Sequence, residues 1–459
     1  MQAKQQPSNI SINLGTVPGW IERLGHPEIF NLFVGEKDCL YSTPGLDIIK
    51  QFTGGRATHY TQFGGGGYIC VTSTQVLRIT PSGFSSVIQR ITFSGLPVQI
   101  DENQDNQITI VDGAAAYVID QKAGSFTKLT STQGFPFKTP CSVVVLNTFT
   151  IILDKSTRTW IVSGPNNALV YSTINTVPEL QTQSGTPMSL ATIQNNLYIM
   201  GTLGIERWIP NLNTNTYAFP FSRDSNFKVD DGPIGTAAVT RGINTIYYLS
   251  SRFVATAFNG ATTQPLESEG MSRVISQYDD VENCACSFYS FRGLNFFQLT
   301  FPTTGIAWSC NLENKTWGLV DDLILSSPPA SEVVITPSGL YSLSLTPGYK
   351  RRRFVGDRFF GDKGQQNFRD TLNGVEVWLV QGLQQKVDPT HKSPQYLEMT
   401  ISKDSKSWLN TVNRPIGKTG RRLSRTRWRT NITGYEFTPR IEYFGDLDLT
   451  IYQITMNLK

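Results

Sequence analysis

The sequence predicts an all-β protein, a β-propeller followed by a smaller β module. Three observations carry this. In a chain of 459 residues, 39 Gly and 24 Pro leave little room for long helices. Apolar residues alternate in hairpin-sized units, the period of a strand. Those units return at intervals of 40 to 50 residues, the period of a propeller blade. Charged residues, at 17%, fall below the roughly 25% of an average domain, while 39% hydrophobic and 11% aromatic residues exclude a disordered chain.

The hairpins run Gly67–Ile79, Gln107–Ile119, Ser142–Leu153, Leu190–Met200, Ala237–Leu249, Ser287–Leu299 and Val333–Leu343, each turning on Gly, Asn or a small polar cluster. With Tyr68, Ile108, Thr150, Tyr198, Tyr247, Phe297 and Tyr341 as markers, the intervals are 40, 42, 48, 49, 50 and 44 residues. A lone hairpin buries too little apolar surface; radial stacking covers every face and leaves only short edges. A β-sandwich is the competing architecture, since its turns recur at similar spacing.

Along the chain, residues 1–30 are expected to form an N-terminal arm and 31–345 the propeller. Residues 346–395, with Lys350-Arg-Arg-Arg353 and several Gly and Asn, read as a basic irregular loop region. Residues 396–459 read as a C-terminal β module with strands over 396–402, 423–431, 436–444 and 449–458.

Chemistry-bearing patterns are sparse. The six cysteines include no CxxC pair, and the three histidines stand apart, so neither disulfides nor a zinc site is expected. No apolar stretch approaches the roughly 20 residues of a membrane helix, and the polar Met1 to Asn13 lacks the apolar core of a secretory signal. A cytosol-like compartment is therefore expected, at least until assembly. Gly417-Lys418-Thr419 lacks the earlier glycine of a phosphate loop, having Val412 there. Asp101, Asn103, Asp105 and Asp112 have calcium-loop spacing but no glycine at Asn106, and a strand follows. Ser402 to Trp408 approximates the Asp-box turn of sialidase propellers without its glycine. The acids Asp230, Asp231, Asp279, Asp280, Glu282, Asp321 and Asp322 sit at turns beside Gly or Pro. No catalytic constellation, metal or cofactor is expected.

Charge is concentrated late in the chain. From Lys403 to Arg429 there are nine cations against Asp404 alone, a balance of +8, so the rest carries 4 − 8 = −4. In Leu423-Ser-Arg-Thr-Arg-Trp-Arg429, strand periodicity places Arg425, Arg427 and Arg429 on one face and Thr426 and Trp428 on the other. Such a row, with guanidinium groups roughly 7 Å apart, suits carboxylates or phosphates. It reads as an assembly contact, a DNA contact or a solvated face. Arg351, Arg352, Arg353, Lys418, Arg421 and Arg422 join Arg425, Arg427 and Arg429 as candidates for an assembly interface or DNA channel.

Several segments together resemble one family. Asn31-Leu-Phe to Tyr41-Ser-Thr-Pro-Gly-Leu46, Gly64 to Tyr68 and Val76 to Ile79 look like its first blades. Tyr198-Ile-Met-Gly-Thr-Leu-Gly-Ile-Glu-Arg-Trp208 resembles its characteristic blade. Asp231-Gly-Pro-Ile-Gly235 through Tyr247, Met271 and Ile275 to Tyr278, then Ile401-Ser-Lys-Asp404 and Arg427-Trp-Arg429, follow in the same order. The family is that of the packaged-DNA stabilisation proteins, the hub or nozzle proteins in the tails of short-tailed phages. The resemblance implies a structural virion protein, assembled in the host cytoplasm, and the failure of every catalytic pattern above leads to the expectation of no enzymatic activity. It implies a homo-oligomeric ring, with a hexamer favoured, below the portal and adaptor proteins. Such a ring prolongs the DNA channel, retains the genome, passes double-stranded DNA without sequence specificity, and anchors the tail needle and the fibres or spikes. It also favours six blades, with seven as the alternative that the hairpin markers allow. The rival reading is a carbohydrate-binding or glycan-degrading propeller, for which tryptophans could stack sugars but the acids are misplaced.

Overall fold

The computed structural model describes residues 8–11, 28–35, 39–61, 66–171, 180, 184–211, 219–266, 269–346, 348, 350–356, 359–360, 369–381, 396–403, 407–416, 423–445 and 448–458. The fold is nearly all β. Blades 1 to 6 are antiparallel four-stranded meanders over residues 55–90, 99–128, 140–171, 187–223, 239–265 and 285–320. Blade 7 joins Val333–Thr336 and Gly339–Ser344 to Gly45–Gln51 from near the chain's start. The bridge between Ser326 and Ile335 adds an innermost position to it.

The first six marker residues each lie on the second strand of their own blade, and Tyr341 lies on Gly339–Ser344 of blade 7. The favoured count of six is therefore corrected to seven. Val333–Leu343 is only a hairpin in the local sequence, and it becomes a blade because Gly45–Gln51 pairs with it across almost 300 residues.

The ring closes through seven apolar clusters, one per blade boundary. Ala57 and Ile69 meet Ile108 and Ile110 between blades 1 and 2, and Val118 meets Val143 and Ile152 between blades 2 and 3. Equivalent clusters follow between blades 3 and 4, 4 and 5, 5 and 6, and 6 and 7. Cys70, Leu77 and Ile79 close the circle against Val333, Ile335 and Leu340. Because both faces of a blade are covered, second strands such as Gln107–Val111 are buried at every position. Turns between strands are held by Asp and Asn side chains. Asp112 accepts from the amides of Ala114 and Ala115, and Asp120 from those of Lys122 and Ala123. All six cysteines are buried free thiols, and burial pushes Cys70 and Cys141 up to about 12.

The remaining strands form a two-layer sandwich around an eighth core that includes Ile29, Leu40, Val377, Trp428, Ile441 and Met456. One layer runs Leu32–Val34, Leu40–Ser42, Leu449–Leu458, Asp370–Gln381, Ser424–Gly434, with Ser8–Ser11 beside Leu449–Leu458. The other continues blade 6: Thr316–Val320 pairs parallel with Glu28–Phe30, followed by Lys350–Val355, Glu436–Gly445, Tyr396–Ser402 and Val412–Pro415. The sandwich thus draws strands from both sides of the propeller in the chain.

Within the described residues of 346–395, the expected irregular loop is corrected to three strands, Lys350–Val355, the short Phe359–Phe360 and the 12-residue Asp370–Gln381. A bulge between Leu372 and Gly374 breaks the alternation that would have marked the longest one.

Candidate assembly interface

The strand Ser424–Gly434 alternates as its sequence requires. Ser424, Thr426 and Trp428 are buried, whereas Arg425, Arg427 and Arg429 are exposed. Trp428 is 1% exposed and donates its Nε1 hydrogen to the Val412 carbonyl at 2.9 Å, anchoring the strand to the core. The arginine strand is the last in its sheet and pairs with Asp370–Gln381, which sets what each guanidinium meets. Arg425 lies opposite Trp378, Arg427 opposite Glu376 and Arg429 opposite Gly374.

The consequences differ along the row. Glu376, 9% exposed, forms ion pairs with Arg425 and, at 3.1 Å, with Arg427 Nε. Arg425 also lies over the Trp378 ring at 5.3 Å. At Gly374 a Cβ would stand 2.7 Å from the Trp428 carbonyl, so the bulge needs glycine there. Gly374 offers Arg429 no side chain, and Arg429 has no ion pair or hydrogen bond among the described residues. A bulge in Leu449–Leu458 leaves Tyr452 and Gln453 both exposed beside Trp378. The face therefore combines three arginines, two aromatics and one acid on a rigid sheet, and Arg, Trp and Tyr are the residue types that dominate binding energy at protein interfaces.

The hydrogen bond from Arg425, with the charges of Arg425 and Arg427, holds the Glu376 carboxyl below the usual glutamate range despite burial. A carboxyl depressed in the native state stabilises above its unfolded value of about 4.3, and the contribution fades as pH falls through the native value. The melting-temperature gap between the parent and Glu376→Gln should thus be constant from neutral pH down to about 5 and narrow below about 4. A gap that widens on acidification would contradict this assignment.

The other candidate cations are placed elsewhere. Arg351, in the opposite layer, donates from Nη2 to both carboxylate oxygens of Glu442 at 2.9 Å. Arg352, 1% exposed, donates to the carbonyls of Gly445 at 2.8 Å, Gly348 at 3.2 Å and Lys350 at 3.4 Å, and lies over Tyr443. Arg353 pairs with Glu28 and lies over Phe30. As a candidate for an open interface, Arg352 is corrected to a structural residue, because strand pairing turns it inward, while Arg353, on the opposite face of the strand, stays partly exposed. Lys418, Arg421 and Arg422 lie outside the described residues, as do Asp404 and Gly417 to Thr419.

The acids weighed for catalysis are dispersed. Asp231 accepts from Tyr248 at 2.9 Å, Asp321 from Asn31 at 2.7 Å, Asp322 pairs with Lys350, and Asp280 holds Asn283 and Thr303. Asp112 of the calcium-like spacing is a blade-turn residue. The propeller axis holds a cavity of about 570 Å³. Gln99 crosses it from blade 2, donating to Ser189 at 3.3 Å and to the Thr236 carbonyl at 3.0 Å.

Sequence reasoning missed Asn31, which joins propeller to sandwich. Its side-chain amide donates to Asp321 and to the Arg351 carbonyl at 2.8 Å, and its Oδ1 accepts from the Asp321 amide at 3.0 Å. Its backbone amide donates to the Leu319 carbonyl at 2.8 Å. A left-handed φ of 53° suits Asn better than most residues, but nothing in Phe30-Asn-Leu32 signals such a junction.

No curated protein matches the chain. Among solved structures, it is similar to virginiamycin B lyase from Staphylococcus aureus, with 10% identity over 66% of this chain and 98% of that one, and a TM-score of 0.47. It is also similar to the extracellular domain of BT4673 from B. thetaiotaomicron, with 9% identity over 86% of this chain and 58% of that one, and a TM-score of 0.44. The family model described as Bacteriophage P22 Gp10, beta-propeller, matches residues 27–327. That match runs from the strand Glu28–Phe30 through blade 6 to the start of blade 7, and the chain belongs to this family of phage structural β-propellers.

Proposed function

We propose that the chain is the nozzle or hub protein of a short phage tail. In this reading it forms a ring, with a hexamer favoured, below the portal and adaptor, prolongs the DNA channel and retains the packaged genome. It also anchors the tail needle and the fibres or spikes, and its role is structural rather than enzymatic. Family membership over 27–327 carries the reading. The closed propeller axis supports a conduit formed between copies, because a cavity of about 570 Å³ crossed by Gln99 cannot admit a duplex whose major groove alone is about 12 Å wide. Native mass measurement and electron microscopy of the chain with its adaptor test the proposal. Rings capped by adaptor are expected, and monomers that ignore the adaptor would overturn it.

The arginine face is the proposed contact. The variant Glu376→Gln, Arg425→Gln, Arg427→Gln, Arg429→Gln removes the row without stranding a buried carboxylate. Both partners of each ion pair are removed together, so no charge is left buried and unpaired, and this variant should melt within a few degrees of the parent yet fail to join tails. Normal assembly with only DNA retention altered would reassign the face to DNA.

A further inference from the structure

We propose that the arginine face of one copy docks on the acidic turn Asp279 to Glu282 of the next copy, making the ring contact heterologous; this rests on the ring reading above. A head-to-tail ring needs two different, complementary patches on one chain. The chain carries +8 over Lys403 to Arg429 and −4 over the rest, so the complement to the basic face is available within the same molecule.

The acids left for such a contact are few. Asp112, Asp120 and Asp154 are committed to their own turns, and Asp322, Glu442 and Asp448 to ion pairs. Asp279 and Glu282 are exposed and have no side-chain partner among the described residues. They flank Asp280, also exposed, on the short turn between the helix Glu269–Ile275 and blade 6. Other unpaired exposed acids, such as Asp47, Glu313 and Glu332, stand singly.

On the basic side, Glu376 already occupies the space between Arg425 and Arg427, so the open position is Arg429 with the outer edge of Arg427. A partner carboxylate at Arg429 would continue the alternation that Glu376 begins, while Trp378 and Tyr452, at the Arg425 end of the row, supply apolar contact at the other end of the face. The same Glu376 disfavours a phosphate backbone, placing a negative charge in the middle of the row.

The test is a charge swap in the full-length chain. Among the described residues, Arg429→Glu breaks no side-chain hydrogen bond or ion pair, and neither does the pair Asp279→Lys, Glu282→Lys. Each set should lower the ring fraction in native mass spectra at least tenfold, with circular dichroism unchanged, and the ring fraction should fall as salt rises. Combining both sets should restore rings to at least half of the parental fraction. Rings unaffected by either set, or lost in each and not recovered in the combination, would overturn this contact while leaving the ring reading intact. Loss of duplex-DNA binding by Arg429→Glu with rings unchanged would likewise overturn it. A parent chain that forms no ring would instead remove the ring reading itself, and this contact with it.

Discussion

Replacing Asn31 by Ala should destabilise the protein by about 3 to 5 kcal/mol. The estimate combines a buried, partly charged hydrogen-bond set, at about 1 to 3 kcal/mol for each group left unsatisfied, with about 1 to 2 kcal/mol for a left-handed residue that lacks Asn's local hydrogen bonding. Asn31 is fully buried and its side chain serves Asp321 and Arg351 at once. Its loss removes the side-chain donor to Asp321 and the Arg351 carbonyl and the acceptor for the Asp321 amide, at the seam where blade 6 becomes the sandwich layer. Asn31→Gly separates the two terms: it relieves the backbone strain but not the lost bonds, and should recover only about 1 kcal/mol. Urea unfolding with hydrogen exchange read at Leu319 and Arg353 is the measurement. A loss under about 1 kcal/mol, or exchange unchanged at the seam, would mean that the sheet continuation alone holds the two parts together.

Arg352→Ala should cost a similar 3 to 5 kcal/mol or so, because it leaves buried carbonyls without their donor at about 1 to 3 kcal/mol each. Its guanidinium is the donor that three carbonyls share, and its stem packs where Tyr443 closes the sandwich. The contrast with Arg429 gives the result its use. Arg352→Ala should lower stability and reduce assembly only through unfolding, whereas Arg429→Glu should leave stability within about 0.5 kcal/mol, as for a surface change away from special features. Denaturation midpoints compared with ring yield distinguish the two. A stable Arg352→Ala that failed to assemble would return Arg352 to the interface.

Two arginines only 77 residues apart, in equally basic runs, thus meet opposite fates. In Leu423 to Arg429 the period of two was sufficient, because a strand with one buried face must send alternate residues in and out, and Trp428 fixed which side was in. In Lys350 to Arg353 the same period held, but whether an arginine turned inward is tolerated depends on the carbonyls it finds, and those of Gly348 and Gly445 are brought to it only by folding.

By itself, the sequence determined the β class, the seven hairpins and their spacing, the turn acids and the exposure of the arginine row. Each of these is set by residues a few positions apart, through the pleat or a tight turn. Only the tertiary structure decided that Gly45–Gln51 completes blade 7, that Glu28 to Ser42 belongs with strands after Lys350, and that Glu376 stands between Arg425 and Arg427. Those choices rest on pairings between segments about 50 to 400 residues apart. The partners in such pairings carry no local signature, because the free energy that selects them arises only when both surfaces leave water together.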